Sequence, residues 1–205
     1  MNVSIRKTAS ALAASLVAVL LAACASPSPA PVLLTLPPAI SAATLAPPAA
    51  ASAPLLAVRR VNIPEYLIAR RVRYRADAST LAEWPNTYWA ERIEIGVSRE
   101  FVSALRQQLP GWTFCDTNCG DQIPALSLQV DLVPMDYLRS AQKLTARARI
   151  TVSSGTVVSQ VLRTQEVPYE LPGAADSAQA QSQAIAELIR QVAVAAAPLV
   201  LGAKP

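Results

Sequence analysis

LTARARITVSSGTVVSQVLRTQEV, residues 144–167, decides the fold class. Over Leu144–Val152 apolar and polar side chains alternate, the period of a strand with one buried and one wet face. Ser153-Ser154-Gly155 supplies a turn, and Thr156–Val167 continues as the returning strand, so the stretch reads as an antiparallel hairpin ended by Pro168 and Pro172. Just upstream, Leu126, Leu128, Val130 and Leu132 alternate with polar residues until Pro134, which reads as another half-buried strand. Downstream, Ile185, Leu188, Ile189 and Val192 form the apolar stripe of a helix expected to start at Asp176 or Ser177. It should run to about Ala197, with Pro198 ending it.

The same reading extends toward the N-terminus. Leu55–Ile63 is a strand candidate stopped at Pro64. Arg70-Arg71-Val72-Arg73-Tyr74-Arg75 alternates charged with apolar side chains, and Ser79–Trp84 can pair back on it through a turn at Ala76-Asp77-Ala78, with Pro85 closing that strand. Asn86 or Thr87 is expected to cap a helix whose positions Trp89, Ile93, Val97, Phe101 and Leu105 recur every four residues, with Leu109 last before Pro110-Gly111. Strands, helix, strands, helix give an α+β fold: a largely antiparallel sheet with two helices packed on one face. The other face must meet solvent or a partner.

Residues 1–23 read as a lipoprotein signal peptide. Arg6 and Lys7 precede an apolar run from Ala11 to Leu20, and Leu21-Ala22-Ala23-Cys24 has the form of a lipobox whose cysteine takes the lipid. The apolar run is shorter than the roughly 20 residues of a spanning helix. The competing reading is an ordinary secretory signal followed by a chance cysteine. Ala25 stands where an inner-membrane retention aspartate would be, which favours the outer membrane. Residues 24–54 are rich in Ala, Pro and Ser and read as an acylated tether. It is interrupted by a first-strand candidate at 32–36. Residues 55–205 make one α+β domain.

Composition excludes several classes of function. Removing residues 1–23 takes two of the 18 basic residues and none of the 14 acidic ones, leaving a net charge near +2, which argues against bulk nucleic-acid binding. The chain has no histidine, so the usual neutral-pH base, most zinc sites and every histidine-dependent triad are absent. Lys143 is the one lysine left for a serine–lysine arrangement, with nothing local to lower its pKa. The expectation is a non-enzyme without cofactor or metal. With Cys24 lipidated, Cys115 and Cys119 remain, and in an oxidising compartment they read as a local disulfide. A redox pair usually has two intervening residues, and metal binding lacks further ligands.

Val61-Asn62-Ile63-Pro64-Glu65-Tyr66-Leu67, the arginine-rich strand after it, and Asn86-Thr87-Tyr88-Trp89-Ala90-Glu91 resemble the ABC-type transport auxiliary lipoproteins, the PqiC/YmbA-like group. Leu33-Leu34-Thr35-Leu36-Pro37 looks like that family's opening strand, and the resemblance covers nearly the whole mature chain. It implies a non-enzymatic subunit on the periplasmic face of the outer membrane. Such a subunit would work with a mammalian-cell-entry (MCE) domain protein and an inner-membrane permease in lipid transport, supporting membrane integrity. A homo-oligomer is compatible with this reading. The rivals are a periplasmic carrier or chaperone for an envelope component, and a structural envelope lipoprotein.

Arg70, Arg71, Arg73 and Arg75 with Tyr66 are the partner- or lipid-binding candidates. Alternation sends Arg71, Arg73 and Arg75 to one face, where three guanidiniums repel unless anions answer them. Those anions would be lipid phosphates, a partner's acidic face, or local carboxylates such as Glu83 or Asp77. Pro64, Tyr66 and Leu67 either present a partner-facing corner or pack one. Trp84 and Trp89, flanking the strand-to-helix turn, are expected as core or staple residues.

Overall fold

The computed structural model describes residues 29–38, 53–116, 119–155 and 160–203. Residues 1–23, Cys24 and most of the tether lie outside these, as does the start of the expected hairpin return at 156–159. The chain divides after Pro31, and every element below belongs to the unit Val32–Pro205.

Eight strands form one sheet: β1 Val32–Leu34, β2 Leu55–Val58, β3 Arg71–Arg75, β4 Leu81–Trp89, β5 Thr113–Cys115, β6 Leu126–Leu138, β7 Lys143–Ser154 and β8 Val161–Pro172. Among the described residues two α-helices, α1 Ile93–Gln108 and α2 Ala178–Gly202, complete the α+β fold. The long ladders, β6 with β7 and β7 with β8, are antiparallel, as is β3 with β4. The short ones, β1–β4, β2–β5, β2–β6 and β3–β6, are parallel, so the sheet is mixed.

β6 organises the molecule because its length lets three strands share it. Its start pairs with β2, its last residue Leu138 with Arg75 of β3, and its other edge with all of β7. Leu126, Leu128, Val130, Leu132, Met135 and Tyr137 of β6 and Leu144, Ala148, Ile150 and Val152 of β7 are buried on one face. There they meet α2 through Ile185, Leu188, Ile189, Val192, Ala193 and Ala196. Each large aliphatic side chain so buried contributes about 1.5–3 kcal/mol. The alanines in the stripe let α2 lie close to the sheet. α2 is long and apolar enough to cross a membrane by length and composition, but here it is the core helix. Ser177 caps it by accepting from the Ala180 N–H at 3.1 Å.

Several prolines expected to end elements lie inside them. β4 runs through Pro85 to Trp89, with a register shift against β3 and Asn86 at φ +50°. The missing proline donor thus falls where the ladder is already interrupted. α1 consequently begins at Ile93 rather than at Asn86 or Thr87, and Trp89 is a strand residue, 4% exposed. Residues 87–89 are claimed from both sides: the Trp89 N–H donates to Arg70 O at 2.6 Å and the Ala90 N–H to Leu34 O at 2.7 Å. Thr87–Trp89 pair with Val32–Leu34.

β6 passes Pro134 in the same way, by a register shift between Leu132 and Met135 that turns Val133 and Pro134 outward. Pro168 sits in β8, which pairs only with β7 and so has a free side where an absent donor costs nothing. α2 continues through Pro198 to Gly202. Pro198 is exposed, so the carbonyl it frees can be hydrated, while Val200 keeps the last turn buried. The expected strand 55–63 is shorter, Leu55–Val58. The chain then rejoins β6 at an Asn62–Asp131 bridge before a 3₁₀ turn at Glu65–Leu67.

Candidate functional site

Within β3, Val72 is fully buried and Arg71, Arg73 and Arg75 point to the open face of the sheet, away from the helices. Neighbouring strands supply their anions. Glu83 of β4 receives both Arg71 and Arg73, each at 3.3 Å, and Asp136 of β6 receives Arg75 at 3.2 Å. Tyr66 completes the cluster. Its hydroxyl donates to Asp136 at 2.7 Å, its carbonyl accepts from Arg73 Nη1 at 2.8 Å, and its ring lies 5.4 Å from the Arg75 guanidinium.

The 3₁₀ turn after Pro64 therefore delivers Tyr66 onto the arginine ladder, which neither stretch of sequence announces alone. Arg71 also lies 5.1 Å over Tyr88. Arg70 stands apart, donating to the Ala90 carbonyl at 3.5 Å. Asp77 does not answer the ladder; it accepts from the Ser79 and Thr80 backbone N–H groups at 2.9 and 2.8 Å, which holds its carboxyl below the usual range.

Three guanidiniums share two carboxylates, so the ladder keeps about one unit of positive charge facing outward. The two pairs at Glu83, whose side chains are about a third to a half exposed, contribute at most about 1 kcal/mol each, which makes them register and orientation devices more than sources of stability.

Burial, and next the bond to Asp136, push the Tyr66 hydroxyl up to about 12, with Arg75 opposing. The folded state therefore holds this proton more tightly than the unfolded one. The associated stability is complete below the ordinary tyrosine value near 10 and is lost as pH rises through about 12. Burial also raises Tyr137 and Tyr169, so a tyrosinate absorbance titration is expected to show several late-titrating tyrosines, with the late amplitude smaller by one residue in Tyr66→Phe. A Tyr66→Phe curve superimposable on the wild type would refute the assignment.

Two further ion pairs cross the strands on the open face. Lys143 meets Glu170 at 2.9 Å and Arg149 meets Glu166 at 2.7 Å. On the helix-covered side, Arg139 lies 4.4 Å over Trp84 and 5.0 Å over Tyr74, and holds Asp176 through two bonds of 2.8 and 3.0 Å. Arg139 keeps the Asp176 carboxyl below its ordinary range. Sequence reading missed this cluster, because Arg139 follows a strand in an unremarkable polar turn. Cys115 of β5 and Cys119 are joined in a disulfide with a 1.96 Å S–S bond. Among the described residues no group of three or more His, Cys, Asp or Glu is placed to hold a metal.

The family described as "ABC-type transport auxiliary lipoprotein component" matches residues 34–193. Among solved structures, that of an uncharacterized protein is similar with a TM-score of 0.66 and 18% identity, over 83% of this chain and 99% of that one. Protein XCC0632 from Xanthomonas campestris is similar with a TM-score of 0.58 and 16% identity, over 84% and 93%. At these identities the likeness is one of fold. No curated protein sequence matches the chain.

Proposed function

We propose, for a chain that belongs to the ABC-type transport auxiliary lipoprotein family, that it is the outer-membrane-anchored docking subunit of an ABC/MCE-type lipid transport system. The family match across the folded domain carries the reading. The transporter supplies the chemistry and this subunit supplies attachment: Cys24 holds it to the outer membrane, and the sheet's open face meets an MCE-domain protein that connects to the inner-membrane permease. Two or more acyl chains on Cys24 anchor stably, since each buried methylene contributes about 0.8 kcal/mol.

The contact face includes Tyr66 and Arg70, Arg71, Arg73 and Arg75, whose positive charge Glu83 and Asp136 only partly answer. The subunit is non-enzymatic, consistent with a chain lacking histidine. The carrier reading asks for a lipid-sized apolar cavity. Among the described residues an interior void bounded by Leu67, Trp89, Met135, Tyr137 and Ile185 measures about 10 Å³, room for roughly one water, and a larger hollow of about 400 Å³ beside Tyr74, Arg139 and Asp176 is lined mostly by polar and charged side chains.

Purification of the acylated full-length protein from its native envelope after crosslinking tests the proposal. An MCE-domain protein and its permease are the expected partners, recovered in lower yield when Arg71, Arg73 and Arg75 are all glutamine. Recovery of neither from the wild type refutes the docking role. Equal recovery from the triple variant removes the arginine ladder from the contact face.

A further inference from the structure

One row of the open face differs from those around it. Arg147 on β7 faces outward between the buried Ala146 and Ala148, opposite Pro168 of β8. On its other side, β6 bulges at Val133 and Pro134, both exposed. Among the described residues the Arg147 side chain makes no ion pair or hydrogen bond, whereas its same-face neighbours on β7, Lys143 and Arg149, each hold a glutamate of β8. Pro168 stands directly opposite Arg147, and the two carboxylates diagonal to it are already taken, Glu166 by the Arg149 opposite it and Glu170 by Lys143, which itself faces Pro172.

We propose that Arg147, rimmed by Val133, Pro134 and Pro168, is the central docking point for a single carboxylate side chain on a partner protein. The proposal rests on the docking-subunit reading for its biological setting only. An exposed guanidinium presents a planar fork matched to a carboxylate, and the apolar side chains beside it are the kind of rim that excludes water around an interface arginine.

The surroundings also select the partner's class. Asp131 and Asp136 of β6 and Glu166 and Glu170 of β8 stand one row away on either side. With Asp136 held by Arg75, Glu170 by Lys143 and Glu166 by Arg149, these rows carry as many carboxylates as cations once Arg147 is counted, so a plane of lipid phosphates meets no net positive charge here, whereas one projecting Asp or Glu reaches the Arg147 guanidinium alone. A protein partner is therefore favoured over an anionic bilayer.

A photo-crosslinking amino acid at Val133, in the full-length acylated protein in its native envelope, tests this. The expected product is a crosslink to a different protein at a segment containing Asp or Glu. Its yield should fall at least tenfold in Arg147→Glu, fall less in Arg147→Lys, and be restored when the partner's acidic residue is changed to Arg. Arg147→Gln, which adds no charge, controls for repulsion by the nearby glutamates and should also lose most of the product.

A crosslink insensitive to Arg147→Glu, a product formed only with lipid or with a second copy of this chain, or failure of the charge swap would overturn the inference. If the charge swap works but the partner belongs to no transporter, the docking point stands and the transport reading falls. If the transporter co-purifies undiminished with Arg147→Glu, the reverse holds.

Discussion

Trp84→Ala is expected to destabilise the domain by about 3–5 kcal/mol, the range for removing a large buried aromatic side chain. Trp84 is 6% exposed and joins three elements. Its ring lies 4.9 Å from that of Tyr74 on β3, Arg139 covers it at 4.4 Å, and its Nε1–H donates to Gln181 Oε1 of α2 at 2.7 Å. Gln181, itself 3% exposed, passes the link on by donating from Nε2 to the Arg73 carbonyl at 2.7 Å.

Alanine would leave a cavity between β4 and α2, strip Arg139 of the nearer of its two aromatic stacking surfaces, and strand a buried amide oxygen. The last effect alone costs about 1–3 kcal/mol. Trp84→Phe should fall between wild type and alanine, since it keeps most of the ring but loses the donor. Urea unfolding followed by circular dichroism measures both. A loss below about 1 kcal/mol for alanine would mean that Trp84 is not the hinge of this packing.

Gly155→Ala is expected to cost about 3 kcal/mol, at the upper end for forced overpacking. A Cβ at Gly155 would sit 1.9 Å from the carbonyl oxygen and 2.6 Å from the carbonyl carbon of Pro124. The obstruction is backbone, so no rotamer change relieves it, and the Gly155 N–H already binds the Ala125 carbonyl at 3.1 Å. Either the hairpin end of β7 or the segment leading from the disulfide loop into β6 would have to move. Gly111→Ala is the matched control. No atom lies within 4 Å of its added methyl, and it should be neutral or stabilising by up to about 1 kcal/mol through the unfolded chain. Similar unfolding midpoints for the two variants would contradict the close approach at Pro124.

The same two sites show how far local sequence reaches. Ser153-Ser154-Gly155 is legible as a turn, but its need for glycine comes from Pro124, which a local reading does not connect to it. Alternation in 126–132, 144–152 and 70–75 identified the strands and their buried faces correctly, because period two is imposed by the backbone itself. It also sent Arg71, Arg73 and Arg75 to one side, where the structure has them. That Glu83 answers two of these while Asp77 answers its own turn depended on strand register. The contribution of Asp136 and Tyr66 depended on β6 running beside β3.

Proline was the least faithful local signal. Pro85, Pro134, Pro168 and Pro198 each read as a stop, yet each is accommodated by something outside its own segment: a shift against a neighbouring strand, an open sheet edge, or a solvated helix face. The expected helix start at Asn86 or Thr87 failed for the same reason, since residues 87–89 are held between β1 and β3.

By itself, then, the sequence determined the α+β class, the core stripes, the pairing of Cys115 with Cys119 as an expectation, and membership of a lipoprotein family. The class and the stripes follow from side-chain periodicity, the cysteine pairing from composition and compartment, and the family from its match over residues 34–193. Only the tertiary structure decided which charges are neutralised and which, like Arg147, are left facing outward, because a charge's partner is fixed by the register of strands distant in sequence.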